Sequence, residues 1–211
     1  MKIYIRKPEG FHPETLAYYK ENFEFVSEKE AEIIVVNDFE EANYSDKIVA
    51  RNSTGLDKIK AKEIISLRGE DLSGLTAVAE LSLGMMIMLT RLFKQEEIKG
   101  QTLGLLGGKG RIATQFAEMA MRMGMKILYY DKGYTKKTLE DLLETSDIVS
   151  LNITADEENR GWMNKNKFKQ MKNGSIFLNA ARPWLVEDEA LKWALNNKLS
   201  ACWYDFKMPF Q

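Results

Sequence analysis

Apolar positions along this chain follow two alternating patterns, short continuous runs and longer stretches in which they recur at helical spacing. In the first half, residues 2–6 (KIYIR), 32–37 (EIIVVN), 48–51 and 63–67 read as strands, and 14–22 as a helix. Residues 102–131 read TLGLLGGKGRIATQFAEMAMRMGMKILYYD: a short apolar strand, a glycine cluster, an amphipathic helix and a second strand ending on an acid. Beyond it, helices are predicted at 139–145, 164–171 and 187–197, alternating with strands at 147–152, 175–179 and 200–206. Such alternation builds parallel sheets with helices on both faces. The expected fold is α/β with two parallel-sheet lobes, an abbreviated one over 1–75 and a second over 76–211. The second lobe opens with the longest helix candidate, 76–93, where Val78, Leu81, Met85, Met88, Leu89 and Leu92 recur at helical spacing. That helix is apolar on most of its circumference, which places it between layers or at a subunit contact.

Composition narrows the function class. At 211 residues, 45% hydrophobic and 29% charged, the chain has the make-up of an ordinary globular protein with ample core. Lys+Arg 30 against Asp+Glu 31, with no basic block, argues against nucleic acid or an anionic membrane as partner. The start, MKIYIRKPEG, lacks the apolar run of a leader, and the most hydrophobic run, 81–93, is too short to span a bilayer. Cys202 is the single cysteine, which suits a reducing cytosol, and a cytoplasmic location is expected. The methionines at 85, 86, 88, 119, 121, 123 and 125 read as adaptable core packing, and no metal site is expected.

The glycine cluster carries the chemistry. Gly108, Gly110 and Ala113 fit the G-x-G-x-x-G/A spacing between a predicted strand and a predicted helix, with Asp131 close to the expected interval beyond. On this reading Gly108 allows the tight turn, Gly110 lets a pyrophosphate approach bare backbone, and Ala113 keeps helix and sheet close. The helix N-terminus faces the phosphates with unpaired N–H groups. Asp131 can accept from both ribose hydroxyls, which favours NAD over its 2′-phosphorylated relative. A tight strand-to-helix turn that binds nothing is the plain alternative.

Several ordered segments are similar to the D-isomer-specific 2-hydroxyacid dehydrogenases, the family of phosphoglycerate and glycerate dehydrogenases. KGQTLGLLGGKGRIA resembles the family's cofactor loop, with one extra residue in the glycine turn. LEDLLETSDIVSLN followed by ENRGWMNKNKFKQMKNGSIFLNAAR resembles its second signature and the run to the catalytic arginine. VEDEALKWALNNKLSACWYDF resembles the closing helix and strand, and RNSTGLDKI and TAVAELSLGMMIML the substrate loop and interface helix. The resemblance implies a flavodoxin-like first lobe, a Rossmann second lobe and two-fold homodimerisation. It implies that Arg182 clamps the carboxylate and carbonyl oxygen of a small 2-hydroxy or 2-keto acid, a role suited to a permanently charged planar fork. It further implies that Asp205 accepts from the nicotinamide carboxamide, that the backbone of Asn52, Ser53, Thr54 and Gly55 holds the substrate carboxylate, and that Arg111 and Ile112 lie along the pyrophosphate. Asn152 and Ala180 complete the implied cofactor set.

The family pairs its arginine with a glutamate and a histidine for proton transfer. Here the glutamate-proline pair is shortened to Met208-Pro209, the chain stops at Gln211 before the histidine segment, and Pro183 stands where a glycine follows the arginine. A shortened member lacking that segment is the expectation. The single histidine, His12 in EGFHPET, is the candidate replacement acid. Two functions stay open: an NAD-dependent oxidoreductase of small 2-hydroxy or 2-keto acids, and an NAD(H)-binding sensor or partner subunit that keeps the cofactor fold without the acid-base pair.

Overall fold

The computed structural model describes residues 1–36, 40–51, 59–66, 73–135 and 138–205. The chain divides into two compact units, Met1–Asp71 and Leu72–Gln211.

The first unit is a five-stranded parallel sheet of β1 (Lys2–Arg6), β2 (Glu24–Phe25), β3 (Ile33–Val36), β4 (Ala42–Arg51) and β5 (Ile59–Ser66), in the order β2-β1-β3-β4-β5. The run IIVV makes β3 central because a strand with both faces covered needs apolar residues at every position. Helix α1 (Pro13–Asn22) begins on a proline, whose fixed φ and missing N–H suit a first helical turn. Its Leu16 and Tyr19 pack with Phe11 and Phe23 against Ile3, Ile5 and Val35. Two strands run longer than their apolar cores predict. β4 takes in the polar segment before Ile48, with a register irregularity between Tyr44 and Ile48, and β5 starts at Ile59. Backbone pairing extends them where hydrophobic periodicity is silent.

The second unit begins with α2 (Ser73–Leu89), continues through a π-helical turn over Thr90–Lys94, and ends at Gln95 in the left-handed region. Its six-stranded sheet contains β6 (Thr102–Leu106), β7 (Lys126–Asp131), β8 (Tyr134–Thr135), β9 (Ile148–Leu151), β10 (Ser175–Asn179) and β11 (Leu199–Tyr204), in the order β11-β10-β9-β6-β7-β8. All pairings are parallel except the short β7–β8 pair. The connecting helices are α3 (Arg111–Arg122), α4 (Leu139–Thr145), α5 (Lys165–Gln170) and α6 (Asp188–Asn197). One core gathers Leu106, Leu142, Phe168, Phe177 and Leu191 on one side of the sheet. The other packs Met86, Leu103, Leu105 and Phe116 against α2 and α3.

Helix α2 corrects one expectation, that its apolar stretch is too short to span a bilayer. Its buried face, with Ala79, Ser82, Met86 and Leu89, packs on α3, β10 and β11, but Leu81, Met88, Leu92 and Phe93 are exposed. The helix is therefore one-sided rather than enclosed within the described unit. The run 81–93 alone is short, yet Thr76–Lys94 as one helix of 19 residues at mean hydropathy 1.4 is long and apolar enough, by length and composition, to cross a membrane. One face of it packs against α3 and the sheet.

Candidate functional site

Because β11, β10, β9, β6 and β7 are mutually parallel neighbours, their carboxyl ends share one edge of the sheet. At the end of β6 the chain turns through Gly107, which takes φ +79°. The amides of Gly107 and Gly108 both donate to the Tyr130 carbonyl, at 2.9 and 3.1 Å, and Gly110 N–H donates to Gly107 O at 3.0 Å. Asp131, at the end of β7, accepts from Lys109 N–H through Oδ2 at 3.0 Å. The turn is thus tied to the neighbouring strand before α3 begins.

This geometry reassigns the glycines. The tight turn falls to Gly107, which takes the left-handed conformation, and not to Gly108. Gly108 is buried against Tyr129, and a Cβ there would lie 2.7 Å from that ring. Gly110 keeps φ −63° and caps α3 without any side chain. The first intrahelical bond runs from Thr114 N–H to Gly110 O at 2.9 Å, so the amides of Arg111, Ile112 and Ala113 precede the helical ladder and point out of its end. Ala113 is fully buried in the core where α3 meets β6, where only a small side chain lets helix and sheet approach.

The turn opens on a cleft of about 430 Å³ whose lining includes Gly107, Gly110, Tyr130, Asp131, Asn152 and Trp162. Asn152 lies just past β9, its Nδ2 donating to Ser150 Oγ at 3.0 Å, while its Oδ1 is buried without a hydrogen-bond partner among the described residues. Bare backbone at Gly110, outward helix amides, a carboxylate at the next strand end and an orphaned acceptor are what a dinucleotide requires: donors for phosphates, acceptors for a ribose. A side chain at Gly110 would fill that cradle, since a Cβ there would sit 3.1 Å from Gly107 O and 3.8 Å from Asn152 O.

A second group forms at the ends of β10 and β11. Asn179, fully buried, accepts from Ala181 N–H at 3.0 Å and donates to the Arg182 carbonyl at 2.9 Å, so one amide braces the turn that carries Arg182. Arg182 is half-buried and donates to Ala181 O at 2.8 Å. Asp205 N–H donates to Asn179 O at 3.1 Å. Burial lifts the Asp205 carboxyl above the usual carboxylate range, opposed by the nearby Arg182 charge. From Asp205 to Asp131 the edge spans four strand spacings, about 19 Å.

Of the sequence-predicted residues, Gly110, Asp131 and Asn152 line the cleft together. Gly108 and Ala113 support it from beneath, and Ala180, Arg182 and Asp205 form the second group on the same edge. His12 caps α1 in the other unit, its Nδ1 accepting from Glu14 N–H at 3.4 Å with its side chain 70% exposed. Asn52, Ser53, Thr54 and Gly55, and Met208-Pro209, lie outside the described residues. Sequence reasoning missed Gly107, Tyr130, Trp162 and Asn179. Asn179 stood in view three residues before Arg182, but nothing in spacing marks a bracing amide.

Residues 84–207 match the NAD binding domain of the D-isomer specific 2-hydroxyacid dehydrogenases. The chain is 30% identical to a hydroxypyruvate reductase of Thermotoga maritima, over 90% of this chain and 77% of that one. It is also 30% identical to a D-3-phosphoglycerate dehydrogenase of Haemophilus influenzae, over 71% of this chain but only 42% of the relative's length. Among solved structures, the NAD+-bound 3-phosphoglycerate dehydrogenase of Entamoeba histolytica superposes with a TM-score of 0.79 at 24% identity, covering 100% of this chain and 82% of that one. The NAD complex of Staphylococcus aureus formate dehydrogenase gives 0.79 at 18% identity, with the same coverage, and speaks to the fold alone. The turn at 107–110, read with a family match that spans more than half of the sequence, means that this chain belongs to the D-isomer-specific 2-hydroxyacid dehydrogenases and that its cofactor is NAD.

Proposed function

We propose that this chain transfers hydride between NAD(H) and C2 of a small 2-hydroxy or 2-keto acid. The observation that carries the reading is the common sheet edge, which holds Asp131, the Gly107–Gly110 turn and the Arg182–Asp205 group in one row. Bound cofactor supplies or takes the hydride. Asp131 holds the ribose hydroxyls, and the first amides of α3 hold the phosphates. Asp205 accepts from the nicotinamide carboxamide and orients the ring. Arg182 clamps the substrate carboxylate and the carbonyl oxygen, stabilising charge that develops there. The proton is left to His12, to water or to another group.

The exposed face of α2, with Leu81, Met88, Leu92 and Phe93, supports a two-fold homodimer. A dimer in sedimentation at micromolar concentration is expected. The single cysteine supports a reducing, cytoplasmic setting.

The test is NADH absorbance with glyoxylate, hydroxypyruvate, pyruvate and phenylpyruvate, beside calorimetric NADH binding. Turnover of at least one acid, reduced about 10²–10³-fold by Arg182→Ala with NADH binding retained, supports the enzyme. The use of His12 as a helix cap favours a second reading, an NAD(H)-binding sensor or partner subunit. Binding without turnover of any acid, indifferent to Arg182→Ala, would establish that reading instead.

A further inference from the structure

Arg182 hangs from a turn that is held at both ends. Upstream, the fully buried Asn179 accepts from Ala181 N–H through Oδ1 at 3.0 Å and donates to Arg182 O through Nδ2 at 2.9 Å. Downstream, Leu185 N–H donates to the same Arg182 carbonyl at 3.3 Å, and the Leu185 side chain is fully buried. The turn is then stitched to its neighbour, Gly161 N–H to Trp184 O at 3.0 Å and Met163 N–H to Leu185 O at 2.9 Å. Arg160, paired with Glu157, stacks over Trp184 at 4.9 Å from the ring centroid. Between these anchors Arg182 takes φ −147° and ψ 144°, directly before Pro183. A proline ring clashes with a helical conformation in the residue before it, so Pro183 leaves Arg182 the extended region that it occupies. Asn179 also reaches the second functional group of this edge, since its backbone carbonyl accepts from Asp205 N–H at 3.1 Å. One residue thus ties Arg182 through its side chain and Asp205 through its main chain.

We infer that Asn179 and Pro183 are positioning residues for Arg182, fixing its backbone relative to Asp205 before substrate arrives. The inference rests on the oxidoreductase reading, in which Arg182 grips the acid and Asp205 the nicotinamide. A guanidinium recognises a carboxylate through a planar fork, and a fork on a long stem is aimed only as well as its backbone is held. Order built in before binding is order that substrate need not impose. Misplacing a reacting partner by about 1 Å costs on the order of 100-fold in rate. Glycine at 183 would return to Arg182 the conformations that proline forbids. Alanine at 179 would remove both side-chain bonds to the turn and leave the main-chain bond to Asp205 in place.

The experiment reads cofactor and substrate separately on the full chain. NADH affinity is measured by calorimetry. The affinity of the NADH complex for oxamate, an unreactive 2-keto acid analogue, is measured beside kcat/KM for the best of the acids named above. Asn179→Ala is expected to weaken oxamate and lower kcat/KM by about 10- to 100-fold, with NADH affinity within about threefold of wild type. Pro183→Gly, which removes no hydrogen bond, lowers both by about 2- to 5-fold. On an Arg182→Lys background, whose compact ammonium has no fork to aim, the further loss from either change shrinks to within about twofold. If the alanine variant does not fold by circular dichroism, Pro183→Gly decides alone. Unchanged oxamate affinity, or the same further loss on the lysine background, overturns the positioning role while leaving the oxidoreductase standing. A wild-type chain that binds NADH but neither binds oxamate nor turns over any of the acids overturns the oxidoreductase reading, and the inference with it.

Discussion

Replacing Gly110 and Gly107 one at a time by alanine separates binding from folding. Gly110 has φ −63° and ψ 150°, values open to any L-residue. Its added Cβ meets Gly107 O at 3.1 Å, a contact relieved by a shift of a few tenths of an ångström. Against that crowding stands a gain of about 0.4–1 kcal/mol from a less flexible unfolded chain, so the stability of Gly110→Ala should stay within about 1 kcal/mol of wild type. The methyl nevertheless occupies the approach to the first amides of α3. Losing two charge-assisted hydrogen bonds at about 1.5–3 kcal/mol each weakens NADH by more than about 100-fold. Gly107 behaves in the opposite way. At φ +79° a side chain costs roughly 1–2 kcal/mol in backbone strain alone. Its Cβ would also stand 2.7 Å from the Asn152 carbonyl carbon and oxygen, where only backbone can yield. A loss of about 3 kcal/mol or more is expected for Gly107→Ala. Urea denaturation gives the stabilities and NADH fluorescence titration the affinities. NADH binding by Gly110→Ala within threefold of wild type would refute the placement of the phosphates against this backbone, and a Gly107→Ala variant as stable as wild type would refute the turn geometry.

Asp131→Ala should narrow the preference for NADH over NADPH, measured as a ratio of dissociation constants, because the carboxylate that repels a 2′-phosphate is gone; an unchanged ratio would place the discrimination elsewhere. Asp147 ties β9 to β6 through Thr102 N–H at 2.9 Å and to the Lys172 ammonium. Burial alone would raise its pKa, but Lys172 and the Thr102 amide outweigh burial and hold it below the usual carboxylate range. Its contribution is therefore complete above the unfolded value of about 3.9 and is lost as pH falls through the lower folded value. Asp147→Ala is expected to cost about 2 kcal/mol at pH 7, a gap that closes towards pH 2 in denaturant titrations, and a gap independent of pH would contradict this. Burial pushes the Cys202 thiol up to about 11. Ellman's reagent at pH 8 should accordingly label the native chain slowly and the urea-unfolded chain at once, and rapid native labelling would count against the buried environment.

The strand–turn–helix–strand unit was legible because each of its parts carries its own signal. Apolar runs at 102–106 and 126–131 bound a helix with small residues on its buried side. Which glycine takes the left-handed conformation was not legible, since spacing fixes the set of glycines and not their backbone angles. β2 and β8 have two residues each, too few to show a period. The apolar girth of α2 announced a helix but could not tell Met86, fully buried, from Leu92, 65% exposed. Arg182 and Asp205 were found through family resemblance, not periodicity. Trp162 lies in the irregular segment between β9 and α5, where no pattern marks one side chain over another.

The turn at 107–110 is held by main-chain donors throughout: two amides on the Tyr130 carbonyl, one on Asp131, and Gly110 back on Gly107. A loop anchored in this way to an adjacent strand has almost no conformational search left when a ligand arrives. Association should then be a single bimolecular step, with stopped-flow rates linear in NADH concentration and no slow closing phase from this loop.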